Sequence, residues 1–346
     1  MSAGAAVGRR VAGATLLDFA VSPLFVWDTF TGTLARDLHV SETTLSGVFS
    51  VALASFTVGV LVGGRVADTV APRWLALLCG LGVVGGLVVT GLTSSLPVLI
   101  IGFGIVLGGT SGMGYATAVR EAGVAAAGRG WAVGVVVSAY AAGAVALAPI
   151  SAFLLATVGR PAAFAGLAAG LGALLAAAAA LLPGSSASTQ ARTSTAKGGA
   201  LRPTQGPVPA LWLMFMVGSA PALVAFAHAG ALTEAPGASV AAVSLLNAGN
   251  FAGRLIAGPG VDRVGLSRAL HGTAASLVVA TVALALSQHV LIALAALLVI
   301  GTQYGALSAL TPVATARSVP ADRFGSVFGV VFSGWGVAGL GSPVAA

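Results

Sequence analysis

Charge is what this sequence most lacks: Asp, Glu, Lys and Arg make up 7% of its 346 residues, against roughly a quarter in an ordinary soluble domain. With 57% hydrophobic residues and a mean hydropathy of +1.01, it has too little polar material to build a water-facing surface. Cys79 is the only cysteine, which excludes an intrachain disulfide and any cysteine-built metal cluster. Histidine is nearly as scarce. His228 and His271 lie near opposite ends of their apolar runs with no second ligand at helical spacing, so neither a metal nor a cofactor is expected. No nucleophile and base, and no group of His, Asp and Glu at one depth, marks an enzyme. Gly80, Gly82 and Gly85 match the spacing of a dinucleotide loop, but they sit inside an apolar run with no strand before it. The formal net charge is +7, yet the sixteen Lys and Arg residues are scattered singly and form no basic face, which excludes nucleic acid as a partner.

What is present is a series of long apolar runs. About 20 apolar residues span a bilayer, and backbone groups in lipid must bond internally, so each run is expected to be a helix. Eleven are marked: near Val11 to Ala35, Thr44 to Gly63, Trp74 to Leu92, Pro97 to Val119, Trp131 to Thr157, Pro161 to Leu182, Ala210 to Gly230, Ser239 to Ala257, Ala269 to Gln288, Val290 to Ala314 and Phe324 to Pro343. The first run follows Arg9 and Arg10 and outlasts a signal-peptide core, so it reads as a retained span. With a cytoplasmic amino terminus, thirteen of the sixteen basic residues fall inside: Arg9, Arg10, Arg65, Arg73, Arg120, Arg129, Arg192, Lys197, Arg202, Arg263, Arg268, Arg317 and Arg323. Residues 184–208 are rich in Ser, Thr and Gly and read as a flexible cytoplasmic linker. The expected organisation is a six-helix bundle over 1–183, that linker, and a second bundle over 209–346 with five spans, one short and apparently truncated. The all-α chain is expected to be a multi-pass monomer in the cell (inner) membrane.

The two halves repeat. The loop GRVADTVAPRW from Gly64 answers GPGVDRVGLSR from Gly258, pairing Gly64 with Gly258 and Asp68 with Asp262, and SAYAAGAVALAP from Ser138 answers SGWGVAGLGSP from Ser333, pairing Tyr140 with Trp335. Parallel repeats joined by a long cytoplasmic loop are the sequence trace of two bundles that rock about a central site. The first loop resembles the major facilitator superfamily signature of a Gly, an Asp four residues later and then basic residues, with Ala71 and Pro72 departing from its usual Gly. Within that superfamily the stretches NAGNFAGRLIAGPGVDRVG, GTQYGALSALTP and FGSVFGVVFSGWGVAGLGSP are similar to the oxalate and formate antiporter family, whose relatives include monocarboxylate carriers. The resemblance implies two six-helix-type bundles related by a pseudo-twofold axis and transport by alternating access. It also implies that Gly64, Arg65, Asp68, Arg73, Gly258, Asp262 and Arg263 have a conformational rather than a substrate-binding role.

Arg254 stands eight residues before Asp262, which places it roughly 12 Å into the membrane at the rise of an α-helix. An arginine at that depth costs about 2.5 to 3.5 kcal/mol on insertion scales, so it calls for a partner, a wet cavity or an anionic ligand. By resemblance, Arg254 occupies the place of the family's substrate-binding arginine. The family's oxalate exchanger carries a second cation on span eleven where this chain has Trp335, so a monocarboxylate is expected rather than a dianion. Tyr115, Tyr140 and Tyr304, the only tyrosines, lie in spans four, five and ten. With Phe25 and Trp335 they are expected to give apolar walls and hydroxyl donors to the substrate. Asp18 and Asp28 lie in span one with Phe25 between them. Their spacing on one continuous helix would put the three near one stripe, and they are the proton-coupling candidates. The sequence thus reads as a secondary transporter of a small organic anion, by proton symport or anion exchange. The alternative is a proton-coupled exporter of drug-like or other hydrophobic solutes, with Arg254 structural.

Overall fold

The computed structural model describes residues 3–125, 130–185, 206–228, 238–286 and 289–345. Every regular element among them is helical, as expected of apolar runs whose amides have no water to bond. In chain order these are α1 (Ala3–Ala20), α2 (Trp27–Leu38), α3 (Glu42–Thr69), α4 (Pro72–Leu92), the short α5 (Leu96–Leu99) and α6 (Gly108–Ala125). They continue with α7 (Gly130–Leu181), α8 (Val208–His228), α9 (Ala238–Val264), α10 (Leu266–Leu286), α11 (Val290–Ser318) and α12 (Phe324–Ala345). A π-helical segment, Ile100–Leu107, joins α5 to α6, so that Leu96–Val124 runs as one membrane-length helix.

Local chemistry places the breaks. Pro23 lacks an N–H and opens the 3-10 turn Pro23–Val26 that separates α1 from α2, while the Ser22 hydroxyl donates back to the Phe19 carbonyl at 2.7 Å. His39 closes α2 with a left-handed φ of 54°, and the Ser41 side chain then caps α3 by accepting from the Thr44 N–H. Gly159, at φ 75° and ψ 171°, breaks the long run of α7 at a conformation an L side chain resists.

Among the described residues nine helices are long and apolar enough to cross a membrane, where the sequence reading expected eleven spans. Two physical facts separate the numbers. The expected fifth and sixth spans join in α7, whose helical hydrogen bonding runs up to and on from the turn at Gly159. The expected eighth lies in α9, whose Asn247, Asn250 and Arg254 dilute its apolar character, and it is not among the nine. Most of the expected linker, 186–205, lies outside the described residues, as do 229–230 at the end of the expected seventh span and 287–288 at the end of the ninth.

The chain divides into two compact units. One comprises Met1–Ala125, Ala139–Gly199 and Pro320–Gly329, and the other Ala126–Ser138, Ala200–Val319 and Val330–Ala346. Each is built on one device. In the first unit α3 and α6 meet through Gly59 and Gly63 on one side and Gly108 and Gly112 on the other. A Cβ at Gly59 would strike the Gly109 carbonyl, and one at Gly112 the Phe56 carbonyl. In the second, α9 and α11 meet through Gly249 and Gly253 against Gly301 and Gly305, where a Cβ would strike the carbonyls of Leu298, Thr302, Leu246 and Asn250 in turn. Two glycines four residues apart on each partner let the backbones touch, which is how helices gain contact energy when lipid is as apolar as their own side chains. Large side chains such as Leu81, Phe153 and Leu286 point outward instead.

A Gly305→Val substitution therefore forces the backbones of α9 and α11 apart, where no side chain can yield, and is expected to abolish the monodisperse folded protein on size-exclusion chromatography. Gly85→Ala, in the helical interior of α4 with open space around it, is expected to fold normally and to melt no lower than the parent.

Candidate functional site

Inside the first unit, Asp68 near the end of α3 accepts four bonds. The backbone N–H groups of Gly325 and Ser326 at the start of α12 donate at 3.0 and 2.7 Å, the Ser326 hydroxyl at 2.6 Å and the Arg120 Nε at 2.9 Å. Gly64, one turn earlier, has no side chain because a Cβ there would collide with the Gly325 carbonyl. A carboxylate at a helix amino terminus meets unpaired N–H groups and the positive end of the dipole. Arg120 passes the connection on, donating from Nη1 to Glu121 at 3.1 Å, and the other oxygen of Glu121 takes both Nε and Nη2 of Arg10 from α1. Arg120 and Glu121 are each 1% exposed. The four charges cancel, two positive against two negative, which is the condition for holding ions in a dry interior.

The second unit repeats the arrangement at lower burial. Asp262 accepts from the N–H groups of Gly130 and Trp131 at the start of α7, at 2.8 and 3.0 Å, and from Arg317 at 3.1 Å. Gly258 and Gly130 abut, each closed to a Cβ by the other's carbonyl. The sequence-expected partners of these loops, Arg65, Arg73 and Arg263, are exposed instead. The cations that engage the aspartates are Arg120 and Arg317, which the sequence reading took only as topology signals. Their separation of nearly one repeat and the adjacent Arg120 and Glu121 in an apolar run were the available signs.

Further along α9, Arg254 is 8% exposed. Its Nε donates to the Asn250 Oδ1 at 3.0 Å, one turn back on the same helix, and its Nη1 to the Val137 carbonyl at 3.0 Å. Both acceptors are neutral, and among the described residues no ion pair involves Arg254. Tyr304 on α11 precedes Gly305, which packs on the Asn250 carbonyl, and Arg254 follows Gly253, which packs on the Thr302 carbonyl, so the two residues leave the same helix crossing. The Tyr304 hydroxyl accepts from the Trp335 indole N–H at 2.6 Å, while Phe226 packs edge-on to the tyrosine and Phe332 against the tryptophan. Helices α9, α11 and α12 of the second unit thus supply a guanidinium, a phenol and an indole.

The first unit gathers the remaining aromatics. Phe25, 42% exposed, meets Tyr140 with ring centroids 5.5 Å apart and Phe56 at 6.1 Å, and Tyr115 meets Tyr140 at 5.5 Å; all three contacts are edge-on, and Phe56, Tyr115 and Tyr140 are buried. Asp18 is 0% exposed in α1, whereas Asp28 is exposed in the first turn of α2. The single stripe expected from Asp18 through Phe25 to Asp28 is therefore corrected: the 3-10 turn at Pro23 resets the helical phase between them.

Helices too long and apolar for a soluble core, two compact units with matching aspartate anchors, and buried polar side chains at mid-span define a polytopic membrane carrier. The family model of the Major Facilitator Superfamily matches residues 11–343, and the chain belongs to that superfamily. It is a transporter working by alternating access, not an enzyme. Solved structures of the same fold include the human organic anion transporter MFSD10 (TETRAN), at TM-score 0.67 and 15% identity over 100% of this chain and 93% of that one. A double Trp mutant of XylE matches at 0.72 and 16% over 97% and 86%. FucP, in the outward conformation, matches at 0.74 and 10% over 97% and 90%. Comparison with curated protein sequences gives no match.

Removing the buried anchor strands Arg120 and two helix N–H groups, so Asp68→Ala is expected to cost about 3 to 5 kcal/mol of stability. The half-exposed Asp262→Ala is expected to cost about 1 kcal/mol. Thermal unfolding of the two purified variants checks the order.

Proposed function

We propose that the chain carries a small organic anion, a monocarboxylate in the first instance, with Arg254 as its anchor. The observation that carries this reading is the neutral coordination of Arg254. The quartet of Arg10, Glu121, Arg120 and Asp68 balances its own buried ions, but among the described residues Arg254 is held only by an amide oxygen and a backbone carbonyl. Those two bonds orient the guanidinium without discharging it, and leave Nη2 free of a described partner for a ligand oxygen. An anion arriving there supplies the missing negative charge. One cation balances one carboxylate, whereas a dianion would bring a second charge with Trp335 standing where another cation would be needed. An organic anion is a cargo this fold carries in human MFSD10, by that protein's description.

Tyr304 completes the anchor as a hydroxyl donor, and within the first unit the cluster of Phe25, Tyr115 and Tyr140 is the candidate apolar surface. Asp18, fully buried in α1, is the candidate for proton coupling. Asp28, exposed, is the weaker one. Asp68 and Asp262, each closed over a helix amino terminus, would release their N–H groups when the carrier changes state. A cell-membrane location with the amino terminus in the cytoplasm follows from the distribution of Arg and Lys. The exposed Phe25 and the rings behind it favour a second reading, export of hydrophobic solutes, in which Arg254 is structural.

Uptake of radiolabelled acetate, lactate, pyruvate, formate and oxalate into proteoliposomes, with and without a pH gradient, separates these readings. Saturable monocarboxylate uptake is expected, with affinity weakened roughly 10- to 100-fold in Arg254→Ala. No uptake of any of the acids by folded protein, or uptake indifferent to Arg254, overturns the anion assignment in favour of the exporter.

A further inference from the structure

Tyr304 and Trp335 are buried, and the bond between them has one possible direction. An indole N–H donates and accepts nothing, so in the 2.6 Å contact the phenol oxygen is the acceptor. Its single proton must be given on another side. Arg254, which leaves the same crossing of α9 and α11 through the contacts of Gly253 and Gly305, carries only donors and cannot receive it. A charged oxygen is the acceptor that proton favours, because hydrogen bonds to ionised groups are shorter and about twice as strong. Phe332 and Phe226 pack on the two rings and limit their rotation. The indole therefore fixes the role of the phenol without having to touch a ligand.

We propose that Trp335 is a positioning residue that acts through Tyr304: by filling the acceptor side of the phenol it commits the hydroxyl to donate beside the Arg254 guanidinium. The two then form an all-donor pair that takes an ionised carboxylate and rejects the protonated acid and the amide. A protonated acid or an amide brings a hydrogen of its own toward these donors, and the acceptors beside them, Asn250 Oδ1 and the Val137 carbonyl, are already engaged by Arg254; donor against donor is a repulsive contact. This rests on the anion reading above and assigns Trp335 a part in selectivity that its place as an apolar wall does not.

The test is binding of lactate to the purified full-length chain, with lactamide as the neutral counterpart of matched shape. Wild type is expected to prefer lactate by about 100-fold. Trp335→Phe, which keeps a ring and loses the N–H, is expected to weaken lactate about tenfold and leave lactamide unchanged. Tyr304→Phe does the same, and the double variant is no worse than Tyr304→Phe alone, since the two side chains act as one unit. Trp335→His, which retains a ring N–H, recovers part of the preference and serves where Trp335→Phe does not fold. Losses that add in the double variant overturn the proposal, because Trp335 would then meet the ligand directly. Equal losses for lactate and lactamide overturn it as well, because the role would be packing alone. Arg254→Ala distinguishes the failures: lactate binding unchanged in that variant removes the anion reading itself, whereas binding lost there but unaffected by Trp335→Phe removes only the role of Trp335.

Discussion

Close approach of helix backbones is the constraint on which this molecule rests. A helix in lipid gains little by covering its apolar side chains, which are as well solvated by acyl chains as by each other. Contact energy has to come from bringing main chains together, and that is possible where a side chain is missing on both partners. The paired glycines of α3 and α6, and of α9 and α11, provide it twice, once in each half of the repeat. Each such seam puts Cα hydrogens against carbonyl oxygens of the neighbour, adding weak bonds along the line of contact. The rest of each unit is hung from its seam: Tyr115 lies three residues beyond Gly112, Tyr304 one before Gly305, and Arg254 one beyond Gly253. A functional side chain next to a glycine contact inherits the rigidity of that contact.

Buried charge is the second organising element, and it is handled in two ways. At the ends of α3 and α6 the ions form a closed, neutral group whose oxygens are saturated by N–H donors. Its charges are neutralised within the group, and its members tie α1, α3, α6 and the start of α12 to one another. Arg254 has the opposite design: fixed in direction by Asn250 and Val137, unneutralised in charge. The contrast within one chain is between an arginine neutralised in place and one that is not, since both side chains are buried.

The apolar runs were legible as helices because periodicity is not needed when length alone demands it, and the repeat of Gly64 and Asp68 in Gly258 and Asp262 was legible because both residues answer to backbone geometry. Arg254 could be singled out for the same reason that any charge can in a span without others. What was not legible depended on contacts across the fold. Arg120 and Arg317 look like ordinary inside charges until Asp68 and Asp262 are seen beside them. The stripe from Asp18 to Asp28 assumed an unbroken helix, and Pro23 was the local sign that it breaks. The tyrosines could be placed by span but not by unit: Tyr115 and Tyr140 share a cluster, while Tyr304 stands with Trp335. The glycines of the seams were visible as spacing, yet nothing in a chain with 49 of them says which carbonyl each one faces.

The repeat mates then divide by depth. Those near the helix ends, Gly64 with Gly258 and Asp68 with Asp262, do the same thing in both halves, because a close approach and a helix amino terminus each admit one solution. Those at mid-span differ: Tyr140 packs into a ring cluster, and its mate Trp335 spends its N–H on Tyr304. A frame shared by two halves can rock only if its end anchors match, so that both can engage and release alike. The mid-span residues are under no such constraint, and there the two halves have diverged. Identical anchors with unlike interiors are therefore what an alternating carrier can make of a duplicated chain.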